Sequence, residues 1–414
     1  MFFKKFNISF IVTVCSLQVL LFSGCASNNT KPSTSVGPSL SSSYSDEQGI
    51  NSVQSLPKLD VIIPVFDPGL PQDQDYEDEN IWPEIRRAEA NRFAYKLKEK
   101  LDETGEFGSV RVTPDRTATG DLYILGQIKE SNGEEVEVAI EVIDISNRKW
   151  LDESFDHEVS DAFHKSYRNK GKDSYDPLFE NIATKIIEEL NDHESNELED
   201  LHYLSDIRFG ANFSDSKFMQ YIEIEEDQFK LVSKPSDLDP MFRRVKAIRV
   251  RDQLFIDGLQ NNYASFSSKM NDSYLMWQSQ SLLEIKAKRS ANHKAIAQAV
   301  GGAALIGLGV LAAVAGAGSS SPATQTASTL GLLAGGVGGA ILIGESFKTS
   351  DEANVHRDTL NELGKSVDLE FAPKVIAFNK KSVELTGNAK EQFMQWRNFL
   401  QKIYSEEKTP DVQL

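Results

Sequence analysis

Two cysteines in 414 residues, Cys15 and Cys25, are too few and too near the amino terminus to staple a fold. Cys15 falls inside an apolar leader, so a processed chain keeps only Cys25 and has no internal disulfide. Positive charge is also short. Lys and Arg number 44 against 62 Asp and Glu, a formal charge of −18. Such a surface repels phosphate backbones, and no nucleic-acid partner is expected. The six histidines, His157, His164, His193, His202, His293 and His356, are scattered without an HExxH pair or any tight ligand spacing. No metal and no other cofactor is therefore expected. No GxxxxGK(S/T) loop occurs, and Gly344-Glu345-Ser346-Phe347 lacks the second glycine of a nucleophile elbow. The acidic stretch Asp73, Asp75, Glu77, Asp78, Glu79 does not make a calcium loop, because Asp78 stands where the turn requires glycine. It reads as a solvated loop. With no motif that carries chemistry, the expectation is a protein that is not an enzyme.

What is present begins with an export signal. Lys4 and Lys5 form a basic start, and Ile8–Phe22 is an apolar stretch too short and too polar for a membrane span but suited to a leader. Residues 1–24 are expected to be removed. Leu21-Phe22-Ser23-Gly24-Cys25 resembles the lipobox of bacterial lipoproteins, with Phe22 in place of the usual leucine. The resemblance implies that the Cys25 thiol receives diacylglycerol and its freed amine a third acyl chain. Membrane lipid is then a partner, since each buried methylene contributes about 0.8 kcal/mol. Ala26 and Ser27 follow the cysteine, with no Asp at the second position. By similarity to the lipoprotein sorting rule, that implies the periplasmic face of the outer membrane. Residues 25–56, rich in Ser, Asn, Pro and Gly, read as a lipidated tether.

Residues 57–195 read as one α/β domain. Leu59–Phe66 is a short β-branched run, hence a buried strand, and Pro83 opens a helix at a position where its missing N–H costs nothing. Ala90, Phe93, Ala94, Leu97 and Leu101 give that helix an apolar face, and Gly105 closes it. Strands are predicted at Ser109–Val112, Leu122–Ile128, Val136–Ile145 and from Trp150, with Asn132-Gly133 marking a hairpin. A helix over Leu178–Leu190 ends the unit. The Val61–Phe66 strand, Gly105-Glu106-Phe107, the Asp121–Ile128 run and Val142–Ile145 resemble a group of families. It comprises the TolB amino-terminal domain, the curli-secretion lipoprotein and lipoprotein activators of penicillin-binding proteins. The resemblance implies a non-catalytic α/β domain that binds partner proteins or assembles into rings.

Residues 196–293 combine a mixed segment, 196–237, that the sequence leaves unassigned, with a long helix from Met241. Met241, Val245, Ile248, Phe255, Leu259, Tyr263, Phe266, Met270, Tyr274 and Trp277 recur at helical steps, with a gap at Asp252. The stripe fits either a coiled-coil or oligomer seam or packing on the chain's own domain.

The run 295–344 holds no charged residue. Ala295–Gly318 is long enough to span about 30 Å of hydrocarbon, and Ser319-Ser320-Ser321-Pro322 separates it from a second arm, Ala327–Gly344. Ala295, Ala299, Ala303 and Gly307 recur at four-residue steps, as do Gly331, Gly335 and Gly339. Small residues on one helical face let two backbones approach closely, which offsets a cost of about 1 kcal/mol per glycine in water. Residues 294–345 thus read as a glycine-zipper hairpin for close packing in lipid or in a tight oligomer. Lys286, Lys288, Arg289 and Lys294, just before it, suit anionic headgroups. Residues 346–414 read as a small α+β cap: a polar helix at about 350–365, strands at Val367–Phe371 and Ser382–Leu385, and a helix over Ala389–Tyr404 with Trp396 in its core face.

The fold class expected is α+β. The expected role is structural, a lipid-anchored component that assembles with itself as a homo-oligomer or with other envelope proteins. Rival expectations are an activator of a peptidoglycan synthase, an export-channel subunit and, last, a hydrolase of envelope polymers.

Overall fold

A computed structural model describes residues 56–71, 81–314, 351–365, 369, 373–378 and 381–406, with the backbone alone at 215, 288, 291–314, 351–355, 357 and 378. Residues 56–414 group as one compact unit of mixed α and β structure. The expected leader and most of the expected tether, and the acidic stretch 72–80, lie outside the described residues.

The β-branched run becomes strand β1 (Asp60–Pro64), whose Val61, Ile62 and Ile63 are fully buried. Burial on both faces is what a central parallel strand requires. Helix α1 (Pro83–Thr104) follows, starting on its proline and ending on Gly105 in the left-handed region (φ 69°). It leads to β2 (Ser109–Thr113), parallel to β1. Next come β3 (Leu122–Ser131), β4 (Glu135–Asp144) and β5 (Lys149–Glu158), an antiparallel meander. The sheet order is β2-β1-β3-β4-β5, with β3 parallel to β1. Side chains alternate across it. Ile124, Ile128, Val136, Val138, Ile140 and Val142 are buried, whereas Leu125, Gln127, Glu137, Ala139 and Glu141 are partly exposed on the other face. Helix α2 (Asp176–Asn191) packs with α1, Phe179 meeting Phe93 edge-on at 5.2 Å.

The segment the sequence left unassigned holds helix α3 (Ser195–Ala211), a helical turn and a hairpin of β6 (Ile222–Glu225) and β7 (Gln228–Leu231). Its reverse turn places Glu226 and Asp227 at φ 51° and 65°, a conformation more often signalled by glycine. That choice hid the turn from sequence reasoning.

Helix α4 runs from Pro240 to Val314, 75 residues and about 110 Å long. It continues through 293 and 294, so the amphipathic stripe and the first uncharged arm share one helix. The stripe is used within the chain. Val245, Ile248, Leu259, Tyr263, Met270, Tyr274 and Trp277 are buried in the core shared with the α/β sheet, which corrects the coiled-coil alternative. The gap at Asp252 is an inward-facing polar position. Its carboxylate accepts a bond from Trp396 Nε1 (3.1 Å) and lies 3.8 Å from Arg397.

Helix α5 (Asp351–Leu363) returns to α4, His356 Nδ1 lying 3.0 Å from Ser273 Oγ. Then follow the hairpin of β8 (Lys374–Phe378) and β9 (Lys381–Leu385) and the closing helix α6 (Ala389–Glu406). The first strand of this pair thus lies three residues past the expected Val367–Phe371, most of which is outside the described residues. A reciprocal cap starts α6: Glu391 N–H donates to Asn388 Oδ1 (2.8 Å), and Asn388 N–H to Glu391 Oε2 (3.1 Å). Trp396 is core, stacked on Phe255 at 5.0 Å.

Candidate functional site

Of the residues singled out in the sequence, Cys25, Gly331, Gly335 and Gly339 lie outside the described residues. Ala299, Ala303 and Gly307 fall on the helical backbone of α4. Among the residues described with their side chains, no helix is long and apolar enough to cross a membrane. The part of the candidate site with visible geometry is therefore the root of α4, where the helix is held before it enters the uncharged arm.

Midway along the root sits Glu89 of α1, fully buried. Its Oε1 accepts hydrogen bonds from Tyr274 Oη of α4 (2.6 Å) and Ser131 Oγ of β3 (2.5 Å). Its Oε2 has no hydrogen-bond partner among the described residues and faces Arg86 Nε at 3.9 Å. Burial pushes the carboxyl up to about 7, against the opposing pull of Arg86 and the two hydroxyls. One turn further along α1, Arg92 is buried against Asp173 (2.7 Å), donates to Ser267 O and Asn271 Oδ1 of α4, and lies over the Tyr274 ring at 4.7 Å. Gln278 of α4 donates to the same Asp173 (2.7 Å). Burial opposes the Asp173 charge, but Arg92 holds its carboxyl below the usual range. α1, β3, α4 and the segment before α2 are thus joined by polar contacts in a dry interior, where each contact is strong only while its partners stay in place.

A second node lies at the amino-terminal end of the sheet and unites Asp121, His202 and Ser205, the residue types of a hydrolytic triad. The wiring differs from a triad. His202 Nδ1 is 2.7 Å from Asp121 Oδ2, and Ser205 donates to Asp121 Oδ1 and to Gly120 O. Serine and histidine thus both address the carboxylate, and the serine has no base to activate it. Asp60 N–H also donates to Asp121 (2.8 Å), and Arg249 of α4 lies 3.6 Å away. Burial would raise the Asp121 carboxyl, but the His202 bond and Arg249 bring it below its ordinary value. The Asp121 hydrogen bond in turn raises His202. The node fastens α3 and α4 to the sheet.

At the other end of the sheet α4 makes a further set of described contacts. The Asn132-Gly133 turn presses on it so closely that a Cβ on Gly133 would lie 2.6 Å from the Ser281 Cβ, and φ there is +93°. Ser281 Oγ donates to Asn132 O (2.6 Å), Arg289 pairs with Glu134 (2.7 Å), and Lys286 pairs with Asp161. The Ser273–His356 contact brings the returning chain back to this root.

Glu89, Arg92 and Asp173 were not singled out in the sequence, and Tyr274 and Asp121 were named only as members of an apolar stripe and of a strand run. Their hydrogen bonds to other elements join positions 42 to 185 residues apart, which no local spacing records. Two faint signals exist: Arg86, Glu89 and Arg92 flank the apolar face of α1, and Asp252 interrupts the stripe of α4. A groove of about 590 Å³ lies on the open sheet face, lined by Val65, Asp67, Leu125, Gln127, Ala139 and Glu141 among others. No group of three or more potential metal ligands occurs among the described residues. No family model, curated protein or solved structure matches the chain.

Proposed function

We propose that this chain is a non-enzymatic, lipid-anchored outer-membrane protein facing the periplasm, in which α4 and residues 295–344 form a second attachment. The observation that carries this reading is the root of α4. One 75-residue helix is clamped to the α/β body by buried polar groups and then continues into a run without a single charge. The chain returns to the same root at α5. A hairpin of that kind leaves both flanks on one side of a bilayer, the side that the lipid on Cys25 implies. Four-residue spacing of Ala299, Ala303 and Gly307, and of Gly331, Gly335 and Gly339, favours close packing of the two arms or of several copies. The half-exposed sheet face and its groove are then the surface for an envelope protein.

That groove favours a second reading, in which the α/β body reaches a cell-wall synthase and activates it. The resemblance of residues 57–195 to penicillin-binding-protein activators supports it. Deletion of 295–344 separates the two readings: an activator keeps its effect, whereas an assembly built on the hairpin loses it.

Membrane fractionation tests the main proposal directly. A Cys25→Ala variant exported by a non-lipoprotein leader should still sediment with membranes and require detergent for release. Removing 295–344 from that variant should make it soluble. If both forms are soluble and monodisperse, the hairpin is not a membrane attachment.

A further inference from the structure

Among the described residues, a cluster of exposed basic side chains lies beside the root of α4. Between β5 and α2 the loop 159–172 carries Lys165, Arg168, Lys170 and Lys172, with Asp161 as its only acid. Its two ends are pinned to α4: Asp161 pairs with Lys286, and the following Asp173 and Ser174 meet Gln278 (2.7 and 3.3 Å). Within the loop Asn169 donates to Phe163 O (3.1 Å), and a turn of 3-10 helix spans Tyr167–Asn169. None of the four cations forms an ion pair among the described residues, and all four are exposed. Tyr167 at the tip is 88 % exposed, the most exposed large hydrophobic side chain described. Over a hundred residues later in the sequence, Lys286, Lys288, Arg289 and Lys294 precede the uncharged arm. The loop and the Lys286 and Arg289 side chains of α4, far apart in the chain, therefore lie together at this end of the sheet. On the sheet side the surface is bounded by Glu135 and Glu158, a cross-strand pair of like charge.

We infer that the 159–172 loop and the root of α4 form one docking surface for an anionic bilayer, the cations meeting headgroups and Tyr167 seated at the interface. The inference deepens the membrane reading of 295–344 and rests on it. An acidic chain has few reasons to gather free cations and an exposed tyrosine where an uncharged helix begins. Tyrosine prefers the membrane–water boundary, and each basic side chain near an anionic surface strengthens binding about fivefold. The surface also sets how far α4 can enter: it stops where loop and headgroups touch.

The test uses the full chain carrying Cys25→Ala and one environment-sensitive fluorophore, on Tyr167→Cys or on Leu332→Cys. Each is reconstituted into vesicles of phosphatidylcholine with a third of phosphatidylglycerol. Both labels should shift to the blue. The shift at 167 should be lost in 0.5 M salt, where screening is short-ranged, on the order of 4–5 Å. It should also weaken tenfold or more when Lys165, Arg168, Lys170 and Lys172 are changed to Gln, exposed positions whose replacement leaves the fold intact. A shift at 332 with none at 167 overturns the docking surface and leaves the hairpin reading standing. A salt-sensitive shift at 167 with none at 332 supports the surface and removes the hairpin. Silence at both positions overturns both.

Discussion

Glu89 is an acid that the fold holds close to neutrality. Its carboxyl sits at about 7 in the folded chain and near 4.5 when exposed, so the folded state binds the proton more tightly. Stability from this group is fully present below about 4.5 and is lost as pH rises through 7, an effect on the order of 3 kcal/mol. His202, raised by Asp121, acts in the same direction, its contribution fading as pH rises above the ordinary histidine value. Asp121 and Asp173 act oppositely, their carboxyls lowered by His202, Arg249 and Arg92, so their contribution is lost as pH falls below about 4. The clamp on α4 should therefore be tightest in mild acid. Glu89→Gln copies the protonated form at every pH. Thermal melts between pH 5 and 8 should fall by several degrees for the unmodified chain and less steeply for the variant, which keeps only the His202 contribution and should melt higher at pH 8. Parallel slopes for the two proteins would show that Glu89 is not the titrating group.

At the scale of elements, α4 also finishes the sheet. β2 is an edge strand, and exposed edges invite pairing with other chains. Gln260 of α4 covers it as a neighbouring strand would, accepting from Val112 N–H and donating to Val112 O, each at 2.9 Å. Gln260→Ala should cost about 1–3 kcal/mol in chemical denaturation, because two backbone groups lose their partner, and should increase aggregation on heating. An unchanged denaturation midpoint would mean that water replaces the amide without loss. Element positions were largely legible in the sequence, since Pro83, Gly105, Asn132-Gly133 and the β-branched Val61-Ile62-Ile63 each act within a few residues. α3 and the β6–β7 hairpin were not, because a turn built on Glu226 and Asp227 carries no glycine. The stripe of α4 was legible as a stripe, but its partner was not: periodicity tells which face is apolar and is silent about what covers it.

For the whole molecule, the direction of α4 sets a geometric demand. Gln253 meets Asp60 at the start of the sheet, and Arg289 meets Glu134 at its far end. From Gln253 to Ala295, where the uncharged run begins, the helix rises about 63 Å. If residues 25–56 are the tether that the sequence leads one to expect, the 35 steps from Cys25 to Asp60 would span about 33 Å as a coil and at most about 120 Å when extended. Under the proposed function, lipid and hairpin in one leaflet would demand a reach from Cys25 of about twice that coil dimension. Deleting residues 30–52 leaves 11 residues between Cys25 and Asp60, twelve steps with a reach of about 43 Å. The proposal then predicts that the shortened protein keeps its lipid but loses the hairpin from the bilayer. Leu332→Cys should become reactive to a membrane-impermeant thiol reagent, whereas full protection would separate the two attachments or show that α4 lies flat.

The sequence by itself determined the strands and helices of the α/β body, the apolar stripe of α4 and the uncharged run, because those depend on hydrophobic periodicity, turn chemistry and charge within a dozen residues. Tertiary structure alone decided that the stripe of α4 belongs to its own sheet, that Glu89 meets Tyr274 across 185 residues, and that a basic loop stands beside the root of the helix. Those outcomes turn on burial and on which distant groups meet, and the cost of burying a charge is set by the partners that the completed fold brings to it.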